Sequence, residues 1–475
     1  MHTERLNMKY KIVVFGTGSY YKEYKEELQA YDIVAFLDND TEKQRKSMDG
    51  ITVFAPDECT CLEFDYVFLL SRYDTEMREQ LIGIGIPSSK IVMFADFLKR
   101  RVWREYKVYT EGTGKAGNHV LIVSNSLSYT GAPIVLMHAA RILKEEGYSP
   151  VFLSNADGKL RETILDMGIP VIVEKHLETF SCKLQDWIDK FDFIIVNTLL
   201  YHRALLNCNL AGKKVLWWLH EGENYYSDIR LNPGHKEVAE NLIPAGVGFV
   251  ACEAFEKMFG IKPRSLVYGI NEIPKMEAAG RGDIITFALI GSIIERKGTD
   301  IFVDAIKKIN PLLRERASFL IVGEYVESEK SFYDDIKTKI AEMQREIPGI
   351  SVSLSDETDY ENMKALYGRI DVVVCPSRVD PMPVVAAEAM SLGKPCIVSD
   401  KTGTSGLIKS GVDGIVVNID DANSLVRAME TVIESQDQMK RMGRESRKIY
   451  EKYFSMSCFK EQFMNLIREL TNQSI

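Results

Sequence analysis

The sequence predicts an α/β protein whose parallel sheets carry helices on both faces. Short apolar runs alternate with longer amphipathic segments along most of the chain, as in strand–helix–strand units. These runs are nearly continuous, which is typical of parallel strands that are buried on both faces. The pattern restarts at Asn118 and again at Ile284, so we expect a small N-terminal module followed by two doubly wound sheets in series.

Length and composition are those of an ordinary globular protein. With 475 residues, of which 45% are hydrophobic and 27% charged, the chain is long enough for about three domains. The net charge of −9 argues against a nucleic-acid partner. The eight cysteines include no C-x-x-C pair, so neither a zinc site nor a disulfide framework is expected. Without an apolar run of ~20 residues or a secretion signal, we expect a cytoplasmic protein.

The first predicted domain, residues 1–98, is a small Rossmann-like α/β module. Gly16-Thr17-Gly18 and Asp38 are similar to a dinucleotide fingerprint, but Tyr21 occupies the third glycine position and argues against NAD. Asp38-Asn39-Asp40 matches a D-x-D metal motif, for which a strand end followed by a helix cap is the favoured interpretation. Strands are predicted at Lys11–Phe15, Ile33–Leu37, Val67–Leu70 and Ile91–Phe94, with helices at Ser19–Ala30 and Thr75–Ile84.

Residues 99–116 are predicted to be a basic linker. This segment is rich in basic and aromatic residues and includes Arg100, Arg101 and Arg104. A solvated helix face is the favoured interpretation of such a run. The alternative is attachment to an anionic membrane surface, at the inner face of the membrane, or to a protein partner, through residues 1–116.

The second predicted domain, residues 117–275, begins with a strand and a small, polar loop, Ser124–Ala132, that leads into a helix. A glycine-containing loop that opens a helix can bring backbone N–H groups against a phosphate. A later strand, Lys214–Leu219, ends directly before His220, where the side chain could meet a substrate. The other predicted segments are strands at His119–Val123, Pro150–Leu153, Val171–Val173 and Phe193–Val196, a helix at Pro133–Glu146, and closing segments at Val250–Phe259 and Val267–Ile270.

The third predicted domain, residues 280–455, begins with a strand at Ile284–Ile290. Arg296, Lys297 and Gly298 follow it, and a lysine is a compact charge suited to phosphate; the alternative is a surface turn. A small-residue loop at 402–406 could also approach a phosphate. Further strands are predicted at Phe319–Val322 and Ser351–Leu354, helices over Ser424–Leu470, and a last helix, 456–475, that packs back on the second domain.

Two acidic residues stand out between residues 371 and 400. Asp380 follows an apolar strand, Val372–Cys375, and Glu388 lies on a helix that opens with Pro383. If the eight intervening steps were all helical, the two acids would lie about 12 Å apart. Paired acids of sugar hydrolases lie closer, at roughly 5–9.5 Å, so these two fit hydroxyl binders at opposite ends of one long ligand.

The helix start between these acids favours a negatively charged group. Its free N–H groups, near Val384 and Val385, can bind a phosphate. A diol, a diphosphate and a second diol together describe a nucleotide sugar. Taken alone, however, the same residues fit equally well a helix-stabilising acid followed by a solvated glutamate.

The segment D-P-M-P-V-V-A-A-E-A-M-S-L-G-K-P, residues 380–395, resembles the acid-x7-acid motif of retaining GT-B glycosyltransferases. This large family, glycosyltransferase family 4-like, includes sucrose synthases and bacterial mannosyltransferases. The resemblance extends more loosely from Gly117 to the C-terminus. It implies two Rossmann-like domains that face a cleft, with an acceptor side in 117–275 and a donor side in 280–455.

The resemblance also implies roles for individual residues. Asp380, where many members have Glu, would contact the donor sugar, and Glu388 the nucleotide ribose. Ser292 stands where the family commonly has an Arg, so Arg296 is expected to replace it beside Lys297 at the diphosphate. The remaining implied site residues are the catalytic His220 and the donor-binding Gly131, Met382, Pro383, Val384 and Val385.

The function implied by this resemblance is retaining transfer of a sugar from a nucleotide diphosphate sugar, expected to be UDP-linked, to a hydroxyl. The acceptor would be a glycan, a lipid-linked molecule or a protein in bacterial glycan, polysaccharide or glycoprotein assembly, and no metal or other cofactor is expected. Ser292 motivates an alternative, a non-catalytic nucleotide-sugar-binding subunit that regulates another transferase. An oxidoreductase is disfavoured by Tyr21.

Overall fold

The computed structural model describes most of the chain as two compact units, Met1–Tyr106 and Lys107–Ile475. The described residues are 10–93, 106–109 and 119–471, except 30, 180, 192, 228, 230, 232, 275–282, 324, 356–364 and 422. Most of the predicted linker, including Arg100, Arg101 and Arg104, therefore lies outside the described residues. The three-domain division stays a prediction.

The first unit contains a six-stranded sheet in the order β3-β4-β2-β1-β5-β6. Its strands are β1 (Lys11–Phe15), β2 (Asp32–Leu37), β3 (Ser47–Met48), β4 (Ile51–Phe54), β5 (Tyr66–Leu69) and β6 (Ile91–Val92), and its helices are Ser19–Leu28 and Asp74–Gly83. All pairs are parallel except β3–β4. The predicted strands and helices are confirmed with small shifts at their ends, whereas the β3–β4 hairpin was not predicted.

The second unit contains two sheets. The first has eight strands in the order β14-β13-β12-β11-β8-β9-β10-β7. They are β7 (Tyr106–Tyr109), β8 (His119–Ser124), β9 (Ser149–Ser154), β10 (Val171–Glu174), β11 (Phe193–Asn197), β12 (Lys214–Leu219), β13 (Ile243–Gly246) and β14 (Arg264–Ser265). The predicted strands β8–β12 are confirmed. Of the two predicted closing segments, Val250–Phe259 lies in the helix Phe249–Phe259, and Ile270 of Val267–Ile270 forms an isolated bridge with Ser455.

The second sheet of this unit has six strands, all parallel, in the order β17-β16-β15-β18-β19-β20. They are β15 (Ile285–Ile290), β16 (Ala317–Val322), β17 (Val352–Ser355), β18 (Val372–Cys375), β19 (Cys396–Ser399) and β20 (Ile415–Val417). The order reverses between β15 and β18, which places a ligand crevice at their carboxyl ends. The predicted α/β class with parallel sheets is confirmed.

Helices cover both sheets of the second unit. They are Gly131–Glu145, Leu160–Asp166, Ser181–Ile188, His202–Leu205, Pro233–Glu240, Phe249–Phe259, Thr299–Lys308, Pro311–Arg314, Lys330–Glu346, Val384–Ser391, Ser424–Glu434, Gln436–Ile449 and Met456–Thr471. The last helix contacts the eight-stranded sheet, because Phe459 and Phe463 stack on Trp218 with ring centroids 5.7 and 6.2 Å away. Within the described ranges, none of the helices is long and apolar enough to cross a membrane.

Candidate functional site

The turn after β15 places a lysine at the reversal point of the six-stranded sheet. This turn runs through Gly291 to a short helical segment, Glu295–Lys297, and ends at Gly298. Gly298 has a φ of +71°, and a Cβ there would lie 2.0 Å from the carbonyl oxygen of Pro376. Only glycine fits so close an approach, so the turn that carries Lys297 is packed directly against the end of β18.

Lys297 and Asp380 form an ion pair in this crevice. Lys297 Nζ donates to Asp380 Oδ2 at 2.7 Å, although the two residues are 83 positions apart. The carboxylate is buried, with 5% of the residue exposed. Arg296 lies further away, with Nη1 3.8 Å from the same oxygen, and donates instead to the carbonyl of Val379 at 2.8 Å. The crevice therefore contains one carboxylate between two cations.

The helix that carries Glu388 begins later than Asp380. It spans Val384–Ser391, with Pro383 as its N-cap residue. Asp380 lies in the preceding loop, where it forms a bridge with Thr402. A continuous helix from Asp380 to Glu388, the condition for the spacing of about 12 Å, is therefore not met, because the backbone at Pro383 is extended and the helix begins only at Val384.

Glu388 accepts a hydrogen bond from a tyrosine that the sequence analysis did not identify. Tyr367, in the helical residues 365–368, donates its hydroxyl to Glu388 Oε2 at 2.6 Å. Burial raises the pKa of the Glu388 carboxyl, and the Tyr367 hydrogen bond opposes that rise. No motif or spacing marks Tyr367, since its contact with Glu388 depends on how two separate segments pack.

Two helix starts lie close together beside these acids. Gly131 is the first residue of the Gly131–Glu145 helix, and a Cβ on Gly131 would lie 3.4 Å from Val384 Cγ2. Each helix start has N–H groups without intrahelical acceptors and a partial positive charge. The structure thus brings Gly131 from the first sheet next to Pro383 and Val384 from the second.

A small pocket lies where these elements meet, and four of the predicted site residues line it. Lys297, Asp380, Pro383 and Val385 contribute to its wall. The other lining residues are Leu289, Ile290, Val374, Cys375, Pro376 and Ser377. The wall of the pocket combines apolar side chains with the charged Lys297 and Asp380, which suits a ligand with a phosphate and hydroxyl groups.

Met382 is not among the residues that line this pocket. Its side chain is buried against Gly248, whose φ is +92° and where a Cβ would lie 2.5 Å from Met382 Cε. The Met382 sulfur accepts a hydrogen bond from Thr404, and its carbonyl accepts one from Tyr268 at 3.0 Å. Met382 therefore joins the two halves of the unit, and its predicted contact with the donor stays a prediction.

His220 lies at the carboxyl end of β12, as predicted. Burial lowers its pKa to about 3, so the imidazole is neutral, and its Nε2 has no hydrogen-bond partner among the described residues. Two positions later, a Cβ on Gly222 would lie 2.6 Å from Val379 Cγ1, which brings this loop against the residue before Asp380. A neutral imidazole can accept or donate one hydrogen bond at this position.

Glu221 holds the loop around His220. Its Oε2 accepts the backbone N–H groups of His220 and Leu199, both at 2.9 Å, which ties the end of β12 to the turn after β11. Burial raises the pKa of Glu221 to about 7. In the same region, both amide atoms of Asn197 are buried without a partner in the described part of the chain. Sequence reasoning missed both residues.

The residues of the two N-terminal motifs, the dinucleotide-like fingerprint and D-x-D, form hydrogen bonds and ion pairs within the first unit. Asp38 Oδ2 accepts the N–H group of Thr17 at 3.1 Å, the Thr17 hydroxyl, and Lys43 Nζ at 3.2 Å. Tyr21 donates its hydroxyl to Asp49 at 2.5 Å. Across the described residues, no group of three or more His, Cys, Asp and Glu side chains is arranged to hold a metal ion.

Three family models match the chain. Residues 274–449 match the model of group 1 glycosyl transferases, and residues 116–240 match that of glycosyltransferase family 4. Together these two cover more than half of the chain. Residues 8–92 match a third model, described as C2185-like, N-terminal.

Curated relatives are similar over part of the chain. A polyprenyl-linked glycan N-acetylgalactosaminyltransferase of Campylobacter jejuni, named for the acceptor GalNAc-GalNAc-diNAcBac-PP-undecaprenol, is 28% identical over 185 residues, 38% of this chain and 48% of the relative. A UDP-Gal:GlcNAc-diphosphoundecaprenol galactosyltransferase of Escherichia coli is 29% identical over 157 residues, 31% of this chain and 36% of the relative. The chain thus spans half or less of these relatives.

Among solved structures, HepE of Anabaena in complex with UDP and glucose is similar in fold. It has a TM-score of 0.62 at 17% identity, and the alignment covers 74% of this chain and 100% of HepE. This likeness confirms the predicted arrangement of two Rossmann-like domains. The roles of the individual site residues stay predictions.

Proposed function

Because the chain belongs to the family 4-like glycosyltransferases with the GT-B fold, we propose that it transfers a sugar from a UDP-sugar to an acceptor hydroxyl, with retention and without a metal. The observation that carries this proposal is the meeting of Lys297, Asp380 and two helix starts in one crevice. Cations and helix N-termini bind phosphate, and a neighbouring carboxylate binds sugar hydroxyls.

The proposed donor lies along the crevice. Its diphosphate would bind Lys297 and the N–H groups at the starts of the helices at Gly131 and Val384. Its ribose diol would donate to the Glu388 carboxylate, and its sugar hydroxyls to Asp380. Support for UDP comes from relatives: HepE is known in complex with UDP, and the Escherichia coli relative is named for UDP-Gal.

The proposed reaction takes place on one face of the sugar. The bond from the anomeric carbon to the diphosphate oxygen breaks, and the acceptor oxygen bonds to the same carbon from the same side. The proton of the acceptor hydroxyl goes to the leaving phosphate oxygen, so that no side-chain nucleophile is needed. Lys297 and the helix starts stabilise the negative charge that develops on the diphosphate, which is where a preorganised site lowers the barrier most.

The proposed acceptor is a glycan, and the favoured kind is a glycan linked to a lipid. The curated relatives named above act on sugars linked to undecaprenyl diphosphate. The acceptor would enter from the side of His220, whose neutral imidazole could accept a hydrogen bond from a sugar hydroxyl.

A donor panel tests this proposal. Thermal shift with UDP-, GDP- and ADP-sugars should show stabilisation by a UDP-sugar, followed by UDP release and by transfer to a lipid-linked glycan. The anomeric configuration of the product, measured by NMR, should equal that of the donor. Activity should survive a chelator and the substitutions Asp38→Ala and Asp40→Ala. An inverted product, or a strict requirement for Mn²⁺ or Mg²⁺, would refute the corresponding part of the proposal.

A second candidate is a non-catalytic subunit that binds a nucleotide sugar and regulates another transferase. Two observations favour it: Ser292 replaces the arginine common in the family, and Arg296 donates to the Val379 carbonyl. Binding of a UDP-sugar without any UDP release, in the presence of acceptor, would support this candidate over the enzyme.

A further inference from the structure

Glu388 makes its one described side-chain hydrogen bond to Tyr367, and this contact has a consequence for the donor site. We propose that Tyr367 is a positioning residue that orients the Glu388 carboxylate toward the ribose diol of the donor nucleotide. The inference rests on the proposed function, because it assumes that Glu388 binds the ribose.

The contact is short and well enclosed. The Tyr367 hydroxyl lies 2.6 Å from Glu388 Oε2, and Tyr367 is 1% exposed. The ring packs in the same hydrophobic cluster as Ile370 and Val373, directly before β18 and along it. The tyrosine is therefore fixed by the core, whereas Glu388 is only partly buried on its helix. A fixed donor can set the direction of the carboxylate that it bonds.

The remaining carboxylate positions fit a vicinal diol. An ionised carboxylate has about four lone-pair sites on two oxygens. Tyr367 takes one site on Oε2, which leaves Oε1 free to accept from two neighbouring hydroxyls. A glutamate that is held in this orientation before binding loses less rotamer freedom when the ribose arrives.

A buried tyrosine needs a hydrogen-bond partner for its own stability, so a structural role must be separated from a positioning role. Dependence on the ribose hydroxyls separates the two. If Tyr367 positions Glu388, its hydroxyl matters for ligands that carry the diol and hardly at all for ligands that lack it. If the tyrosine has only a structural role, removing its hydroxyl should change the affinities for both ligands equally.

The experiment measures the affinities of UDP and 2′,3′-dideoxy-UDP by calorimetry. The wild-type protein should prefer UDP by about tenfold or more, because a site built to bind hydroxyls rejects an analogue without them. Tyr367→Phe should lower UDP affinity by about three- to tenfold and leave dideoxy-UDP within about twofold. The matched control is Tyr450→Phe, which removes the hydroxyl of another buried tyrosine, 3% exposed, that donates to the Ile270 carbonyl at 3.3 Å. The Tyr450→Phe variant should keep the full preference for UDP over 2′,3′-dideoxy-UDP.

The outcomes distinguish this inference from the proposed function. A wild-type protein that binds neither ligand refutes the donor site, and the role of Tyr367 with it. A wild-type preference for UDP that persists in Tyr367→Phe refutes only the role of Tyr367, as does an equal loss for both ligands. If Tyr367→Phe does not fold, Tyr367→Met removes the same hydroxyl and fills the space with a flexible apolar side chain; an unchanged preference for UDP in that variant would equally overturn the role of Tyr367.

Discussion

Lys297→Met should lower turnover far more than it lowers donor affinity. In the free protein Lys297 already donates a charged hydrogen bond to Asp380 at 2.7 Å. Binding a phosphate replaces that bond by another of the same kind, so little net affinity is gained. We expect UDP binding to weaken by less than about 1.4 kcal/mol, or tenfold.

The expected loss in turnover is larger because charge develops on the diphosphate as the sugar leaves. Removing one preorganised donor from such a charge costs roughly 10²–10³ in turnover, or about 2.7–4 kcal/mol. Lys297 has only 23% of its side chain exposed, so water screens the interaction incompletely. The arginine beside it does not replace it, since Arg296 donates to a backbone carbonyl.

Steady-state kinetics with a UDP-sugar and calorimetry with UDP measure the two effects separately. Lys307→Met is a matched control, because Lys307 pairs with Glu346 at 2.5 Å on the exposed surface of the same half. It should change neither quantity. If Lys297→Met reduces UDP affinity as much as kcat/KM while kcat is unchanged, the lysine binds ground state and transition state equally, and the reasoning is refuted.

Glu388→Gln should weaken UDP binding by about 1.5–3 kcal/mol, because the ribose loses a charged acceptor; unchanged affinity by calorimetry would contradict this. Burial raises the pKa of Glu221 to about 7 from 4.5, so its contribution to stability is present below pH 4.5 and is lost as the pH rises through 7. The melting temperature of Glu221→Gln relative to wild type should therefore rise between pH 5 and pH 8. A difference in melting temperature that stays constant over this range would argue against the raised pKa of Glu221. A chain that begins at Lys107 should fold and bind UDP with unchanged affinity, since the assigned residues lie in the second unit; loss of binding by a folded truncated protein would refute this.

Apolar periodicity alone located most of the strands, because a parallel strand buried on both faces leaves an uninterrupted apolar run. Lys214–Leu219 and Val372–Cys375 have the predicted bounds. Periodicity failed for β13, Ile243–Gly246, where Pro244 and Gly246 have low strand propensity.

The sequence also predicted where the candidate site residues lie relative to the strands. Lysine after a strand, an acid after the next central strand and a second acid on the following helix all lie at the carboxyl edge of one parallel sheet. What the sequence could not show is which of these groups meet. The bond between Lys297 and Asp380 joins residues 83 positions apart, and that between Tyr367 and Glu388 joins residues 21 apart. Such contacts follow no period; they depend on sheet order and on the packing of loops, which only the tertiary structure decides.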